Sequence, residues 1–287
     1  MTSDYNTKTK LLVCYYQPWQ IPKENIFFPI QAGKAISKYR LKMQGDDTGD
    51  NISEKNSTFS EFTAWYWAWK NIKKIYPNLE YIGLSHYRHF FALSESFTGF
   101  PIIQKDIIPN MNNYENIILE IFNKYDIILT KPALYNFNLK VQFELRHNIS
   151  DYLCMKEILH EKYPEYDDSW TFFFENNNIV SWYCMFISKY NFFNEYFDWL
   201  FPLLFEAEKR IDVSKYDSYQ KRVIAFLAER LLNVYVYHNK LKVCYEPIYF
   251  INGKYKINLK SRIKFFIKIF VPYGILLLYN NLKNRCS

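Results

Sequence analysis

The chain has 287 residues, 20% of them aromatic, with 26 Tyr and 25 Phe against 7 Gly. This composition excludes disordered, collagenous and glycine-linker classes and supplies a large core for one globular domain. The formal charge of +7, from 36 basic and 29 acidic side chains, is concentrated at the C-terminus, so the body is near neutral and a nucleic-acid groove across it is not supported.

Lys10–Tyr16 (KLLVCYY) reads as a buried N-terminal strand ended by Gln17-Pro18. Gly45–Asn56 (GDDTGDNISEKN) is dense in turn formers and leads to a helix. Thr58 and Glu61 have capping-box spacing, and Phe62, Tyr66 and Trp69 then share a helical face until Pro77. Strands are expected at Leu79–Leu84 and Tyr125–Thr130, with an amphipathic helix over Glu115–Asn123 between them. A helix over Tyr152–Lys162, a strand over Ile179–Ser188 and a helix over Phe192–Lys209 follow. Asp217 then caps a helix running to about Val236, before a late strand at Lys242–Ile251. Alternating strands and helices indicate an α/β fold with a mostly parallel central sheet flanked by helices.

Residues 1–250 form the expected catalytic domain and 251–287 a basic tail. From Ile251 onward there is no Asp or Glu, while Lys254, Lys256, Lys260, Arg262, Lys264, Lys268, Lys283 and Arg285 are basic. The apolar run Ile269–Tyr279 falls short of the roughly 20 residues that span a bilayer. The tail reads either as an amphipathic element lying on a membrane surface or as a terminal helix packed on the core. Cys14, Cys154, Cys184, Cys244 and Cys286 show neither CxxC nor CxH spacing, which argues against a zinc site or a disulfide framework. With a polar start and no signal-like apolar run, a cytoplasmic location is expected, with peripheral attachment to the inner face of the membrane.

Three regions are candidates for chemistry. Asp46, Asp47, Asp50, Asn51, Ser53 and Asn56 place oxygen atoms ahead of a helix, for sugar hydroxyls or a metal, or as an Asx-rich turn that satisfies its own backbone. Ser85, His86, Tyr87, Arg88 and His89 directly follow a strand, at the edge where open α/β sheets bind ligands; Arg88 can pair with a diphosphate and His86 can donate a hydrogen bond. Arg222 and Glu229 can share a helix face, as a base beside a cation or as a salt bridge. His147 and Asp151 are four apart and read as an ordinary polar pair. No GxSxG, Walker, GxGxxG or HExxH motif is present.

Together GDDTGDNISEKN, EFTAWYWAWKN, GLSHYRHFF and RVIAFLAERLLNVY resemble the bacterial capsular and exopolysaccharide synthesis family catalogued as domain of unknown function 4422, over roughly Leu11 to Val236. The resemblance implies a glycosyltransferase with a GT-A-like fold. It implies a UDP-linked donor, galactose or galactofuranose, and a capsular, exopolysaccharide or lipopolysaccharide acceptor carried on a lipid at the inner membrane surface. Many such folds hold a divalent metal, Mn²⁺ or Mg²⁺, on Asp-x-Asp at a strand end. This chain has Ser85-His86-Tyr87-Arg88 there, which leaves the metal open and offers Arg88 as the positive charge. On this reading Glu229, with Asp50 as rival, is the base of an inverting displacement. Tyr15, Asp46, Asp47, Asn51, His86, Arg88 and Arg222 surround the donor. The competing reading is a non-catalytic carbohydrate-binding or scaffold subunit.

Overall fold

A computed structural model describes residues 7–93 and 102–252. In chain order the elements are β1 (Thr9–Tyr15), β2 (Phe27–Gln31), β3 (Gln44–Gly45), α1 (Asn56–Phe59), α2 (Phe62–Ile75), β4 (Tyr81–His86), β5 (His89–Phe91) and β6 (Ile102–Lys105). They continue with α3 (Tyr114–Ile121), β7 (Ile127–Thr130), β8 (Ala133–Leu134), α4 (Leu139–Glu144), α5 (Ile149–Lys162) and α6 (Asp167–Glu175). The last are β9 (Ile179–Val180), β10 (Phe186–Lys189), α7 (Tyr190–Arg210), α8 (Val223–His238), β11 (Val243–Glu246) and β12 (Ile248–Ile251). The expected basic tail lies beyond Asn252, outside the described residues. Among the described residues no helix is long and apolar enough to cross a membrane.

The central sheet runs β11-β7-β10-β4-β1-β2-β3. It is mostly parallel, with β1 parallel to both β2 and β4 and β11 parallel to β7; β10 runs antiparallel between β4 and β7. All seven residues of β1 are buried, so alternate side chains enter two cores. Leu12 and Cys14 join Trp65, Tyr152, Phe197 and Leu227 beneath the large helical layer of α2, α5, α7 and α8. Leu11, Val13 and Tyr15 point to the other face, packing with Tyr114 and Ile118 of α3 and Tyr249 of β12. Because β1 and β4 are parallel, their C-terminal ends, Tyr15 and His86, open at one sheet edge.

Several expected boundaries move for identifiable reasons. No capping box forms at Thr58 and Glu61: the chain first makes the single turn α1, where the Thr58 hydroxyl donates to the Lys55 carbonyl at 3.1 Å, and Glu61 makes no capping bond. The strand expected over Ile179–Ser188 is split into β9 and β10 because Tyr183 and Cys184 adopt φ of 74° and 49°. The late strand is cut at Pro247, which has no N–H to give a ladder, and its halves pair with β7 and with β5 and β6. Strand β2 contains Pro29, which hides it from pattern reading.

Candidate active site

Above the ends of β1 and β4 lies a cleft of about 680 Å³. Its sheet-side wall is Cys14 on β1, Tyr16 just after it, His86 at the end of β4, the turn Tyr87–Arg88, and His89 opening β5. Ser60 and Glu61, entering α2, face Lys221, Arg222, Phe226 and Glu229 at the start of α8, and Tyr183 closes the floor. Asp217 fixes the approach to α8, its Oδ1 accepting the N–H groups of Tyr219 at 2.9 Å and Gln220 at 2.7 Å.

Glu229 sits deep against protein with one edge open to the cleft. Its Oε1 accepts the Tyr183 N–H at 2.6 Å. Burial raises its pKa above the ordinary carboxylate value, opposed by Arg230 and by the Tyr183 N–H and reinforced by Glu61. His86 Nε2 lies 2.7 Å from the Tyr183 carbonyl oxygen. A carbonyl only accepts, so Nε2 carries the proton and Nδ1 is the acceptor of the neutral ring. Tyr183, in a left-handed conformation unusual for a bulky residue, thus presents its N–H to Glu229 and its carbonyl to His86. His89 stacks on Phe250 with centroids 4.9 Å apart, and burial, with His86 and Arg88 nearby, lowers its pKa to about 3, so it is neutral.

The Arg88 guanidinium lies over the rings of Tyr87, Phe250 and Trp19 at 5.0, 5.6 and 5.9 Å. Its Nε is buried with no hydrogen-bond partner, and among the described residues Arg88 makes no ion pair with a carboxylate. Among the described residues nothing supplies an anion to it, so it can take one from a ligand entering the cleft. Arg222 is aimed differently: its Nε donates to Ser60 Oγ at 2.8 Å, and its Nη2 lies 3.9 Å from Glu61.

The structure therefore brings Glu229, His86, Arg88 and Arg222 into one cleft. The Arg222–Glu229 salt bridge is not formed, because Arg222 turns to Glu61 and Glu229 to the Tyr183 backbone. Of the oxygen-rich loop only its last residue, Asn56, lines the cleft. Asp46 is fully buried and accepts from Gly33 N at 2.7 Å, Lys34 N at 3.0 Å and Ser53 Oγ at 2.6 Å, so it fastens the β2–α1 connection. Asp47 lies 3.9 Å from Lys34, and Asn51 closes its own turn on Gly49 O and Ser53 N. Asp50 accepts the Tyr66 hydroxyl at 3.1 Å and does not line the cleft, contrary to its expected place beside the donor. Tyr15 points into the opposite core and donates to Gln20 O; by strand alternation its neighbour Tyr16 faces the cleft. His147 and Asp151 bond separately, to Gln220 and Tyr216, away from the cleft. Glu61, Ser60, Lys221 and Tyr183 are cleft residues that sequence reading missed, and only Glu61, as a carboxylate entering an aromatic helix, carried a visible signal.

Among the described residues no group of three His, Cys, Asp or Glu is arranged to hold a metal ion. At the strand end where carboxylates would hold one, His86 and Arg88 stand instead. At this strand end the described side chains suit an anion.

A family model described as a domain of unknown function, DUF4422, matches residues 10–240. Among solved structures, the apo structure of WbbM, a bifunctional glycosyltransferase, matches with a TM-score of 0.77 and 29% identity, over 87% of this chain and 47% of that one. The chain thus spans about half the length of that protein. No curated protein matches the chain.

Proposed function

The chain belongs to the DUF4422 family, and from that membership and the cleft we propose that it is a glycosyltransferase taking a sugar from a UDP-linked donor to a glycan acceptor. The observation that carries the reading is Glu229, a carboxylate of raised pKa held on the Tyr183 N–H, in one cleft with an Arg88 that has no anionic partner among the described residues. The similarity to a glycosyltransferase structure supports the same reading.

In this mechanism the acceptor hydroxyl attacks the anomeric carbon, its proton passes to Glu229, and the bond to the diphosphate oxygen breaks. One displacement inverts the anomeric centre. Arg88 and Arg222 face the charge that grows on UDP as it leaves, and His86 can share a hydrogen bond there. The cleft volume of about 680 Å³ lies within the roughly 300–1,000 Å³ of small-molecule sites. The donor is galactose or galactofuranose on UDP. The acceptor is a capsular, exopolysaccharide or lipopolysaccharide chain, lipid-linked at the inner membrane surface, where the basic tail would hold this otherwise cytoplasmic protein.

Thermal unfolding against UDP, GDP and CDP, each with Mn²⁺ and with chelator, tests the donor site. A nucleotide at about 100 times its dissociation constant stabilises by roughly 2.7 kcal/mol, moving the midpoint by about 2 °C or more. A selective UDP shift that survives chelator, together with UDP release from UDP-galactose or UDP-galactofuranose when acceptor is added, is the expected result. No shift with any nucleotide overturns the donor site, and binding without turnover gives the carbohydrate-binding reading instead.

A further inference from the structure

Glu61 stands apart from the other charged groups of the cleft. It enters α2 directly after Ser60, and its side chain is 19% exposed, lining the cavity opposite the first turns of α8. It lines the same cleft as Cys14 on β1 and Glu229 on α8, and its charge raises the pKa of both. Its protein partner is Arg222 alone, 3.9 Å away, beyond hydrogen-bonding distance; among the described residues no N–H or O–H donates to it.

A half-buried carboxylate with two oxygens and no donors is an incomplete arrangement. Each oxygen can accept two hydrogen bonds, and leaving them empty in a cleft that a ligand will dry is costly. The contrast with Asp46 is instructive, since that side chain is more deeply buried and has three donors. The described residues thus leave the acceptor sites of Glu61 to whatever enters the cleft. Phosphates supply none and are repelled by the charge. Sugar hydroxyls supply several, and a group lying within reach of Glu229 is the ring whose anomeric carbon reacts.

Resting on the glycosyltransferase reading, we infer that Glu61 is a specificity-determining residue that accepts hydrogen bonds from hydroxyls of the transferred sugar. Its contact with Arg222, at 3.9 Å, leaves its acceptor sites unfilled.

The test compares the affinity of the full-length protein for UDP, UDP-galactose, UDP-galactofuranose and their single-deoxy analogues, in wild type, Glu61→Gln and Glu61→Asp, by titration calorimetry. In wild type the sugar adds affinity over UDP, and one deoxy position abolishes most of that gain. In Glu61→Gln the gain falls by about 10- to 100-fold, the size of hydrogen bonds to a charged acceptor, and the deoxy analogue is no longer rejected. UDP itself binds as well or more tightly, because a negative charge has left the cleft. Glu61→Asp keeps the charge but withdraws it by one methylene, so it recovers part of the discrimination. Equal losses for UDP and UDP-sugar would show that Glu61 only orients Arg222, or touches the ribose, and would overturn the inference. So would an unchanged preference among the analogues, or a wild type that gains nothing from the sugar, even where transfer is intact. If UDP fails to bind wild type, the donor-site reading falls first and this inference with it.

Discussion

Replacing Glu229 by glutamine separates chemistry from architecture. The amide keeps an oxygen to accept the Tyr183 N–H, now 2.6 Å from Glu229 Oε1, so the floor of the cleft should hold. It cannot take a proton from an acceptor hydroxyl. A positioned general base is worth about 10²–10⁴ in rate, so kcat should fall by that factor, about 2.7–5.4 kcal/mol of barrier, with UDP affinity little changed. The variant also has a signature in stability. Burial holds the folded-state pKa of Glu229 above the ordinary 4.5. Its stabilising effect is complete below that value and is lost as pH rises through the lifted one, where a buried carboxyl must ionise. Glutamine does not ionise, so the variant's melting temperature relative to wild type should be higher at about pH 8 than at about pH 4. Asp50→Asn is the control, outside the cleft, and should keep turnover. A Glu229→Gln enzyme retaining kcat within about threefold, or a melting difference independent of pH, would refute the assignment.

Arg88→Lys should weaken UDP by about 10-fold or more despite keeping the charge, because an ammonium cannot lie flat among Tyr87, Phe250 and Trp19 or present two parallel donors; competition titration with UDP checks this. Asp46→Ala should lower the unfolding free energy in urea by about 3 kcal/mol, since it orphans two backbone N–H groups and the Ser53 hydroxyl in a dry site. Removing Arg262–Ser287 should leave turnover on a soluble acceptor and reduce recovery with membranes, measured by fractionation.

The parts of the fold legible in the sequence are those with a single dominant signal. Strand β1 is buried throughout and apolar from Leu11 onward because both faces are covered, and α2 shows its buried stripe and its stop before Pro77. The direction of β10 was not legible, since a strand's pattern is the same whichever way it runs between its neighbours. Of the residues read as a strand-end cluster and as a shared helix face, His86, Arg88, Arg222 and Glu229 line one cleft. The loop Gly45–Asn56 misled for a physical reason: Asp and Asn are selected equally for binding a ligand and for tying down a turn, and Asp46 and Asn51 do the second. Tyr15 missed by one residue, which in a strand means the opposite face.

The remaining failures share a cause. Ser60 and Tyr183, two cleft residues, hold φ of 49° and 74° without being glycine, and each interrupts an element the pattern would have continued. Such strain costs about 1–3 kcal/mol per residue and persists where the surroundings impose it. At Ser60, with ψ of −130°, the reason is visible: the turn directs Oγ to Arg222 Nε. Glycine and alanine at this position isolate the strain, because both lose the hydroxyl and both keep the backbone bonds from Ser60 N to Asn56 O and from Thr63 to Ser60 O. At an ordinary site alanine is the more stable of the two by about 0.4–1 kcal/mol, through the entropy of the unfolded chain. Here the order should reverse, with Ser60→Gly more stable than Ser60→Ala by about 1–2 kcal/mol, while both weaken UDP binding alike through a loosened Arg222. Urea unfolding of the pair reads the first quantity and nucleotide titration the second. If alanine is the more stable, the turn at Ser60 is not strained, and the cleft does not depend on it.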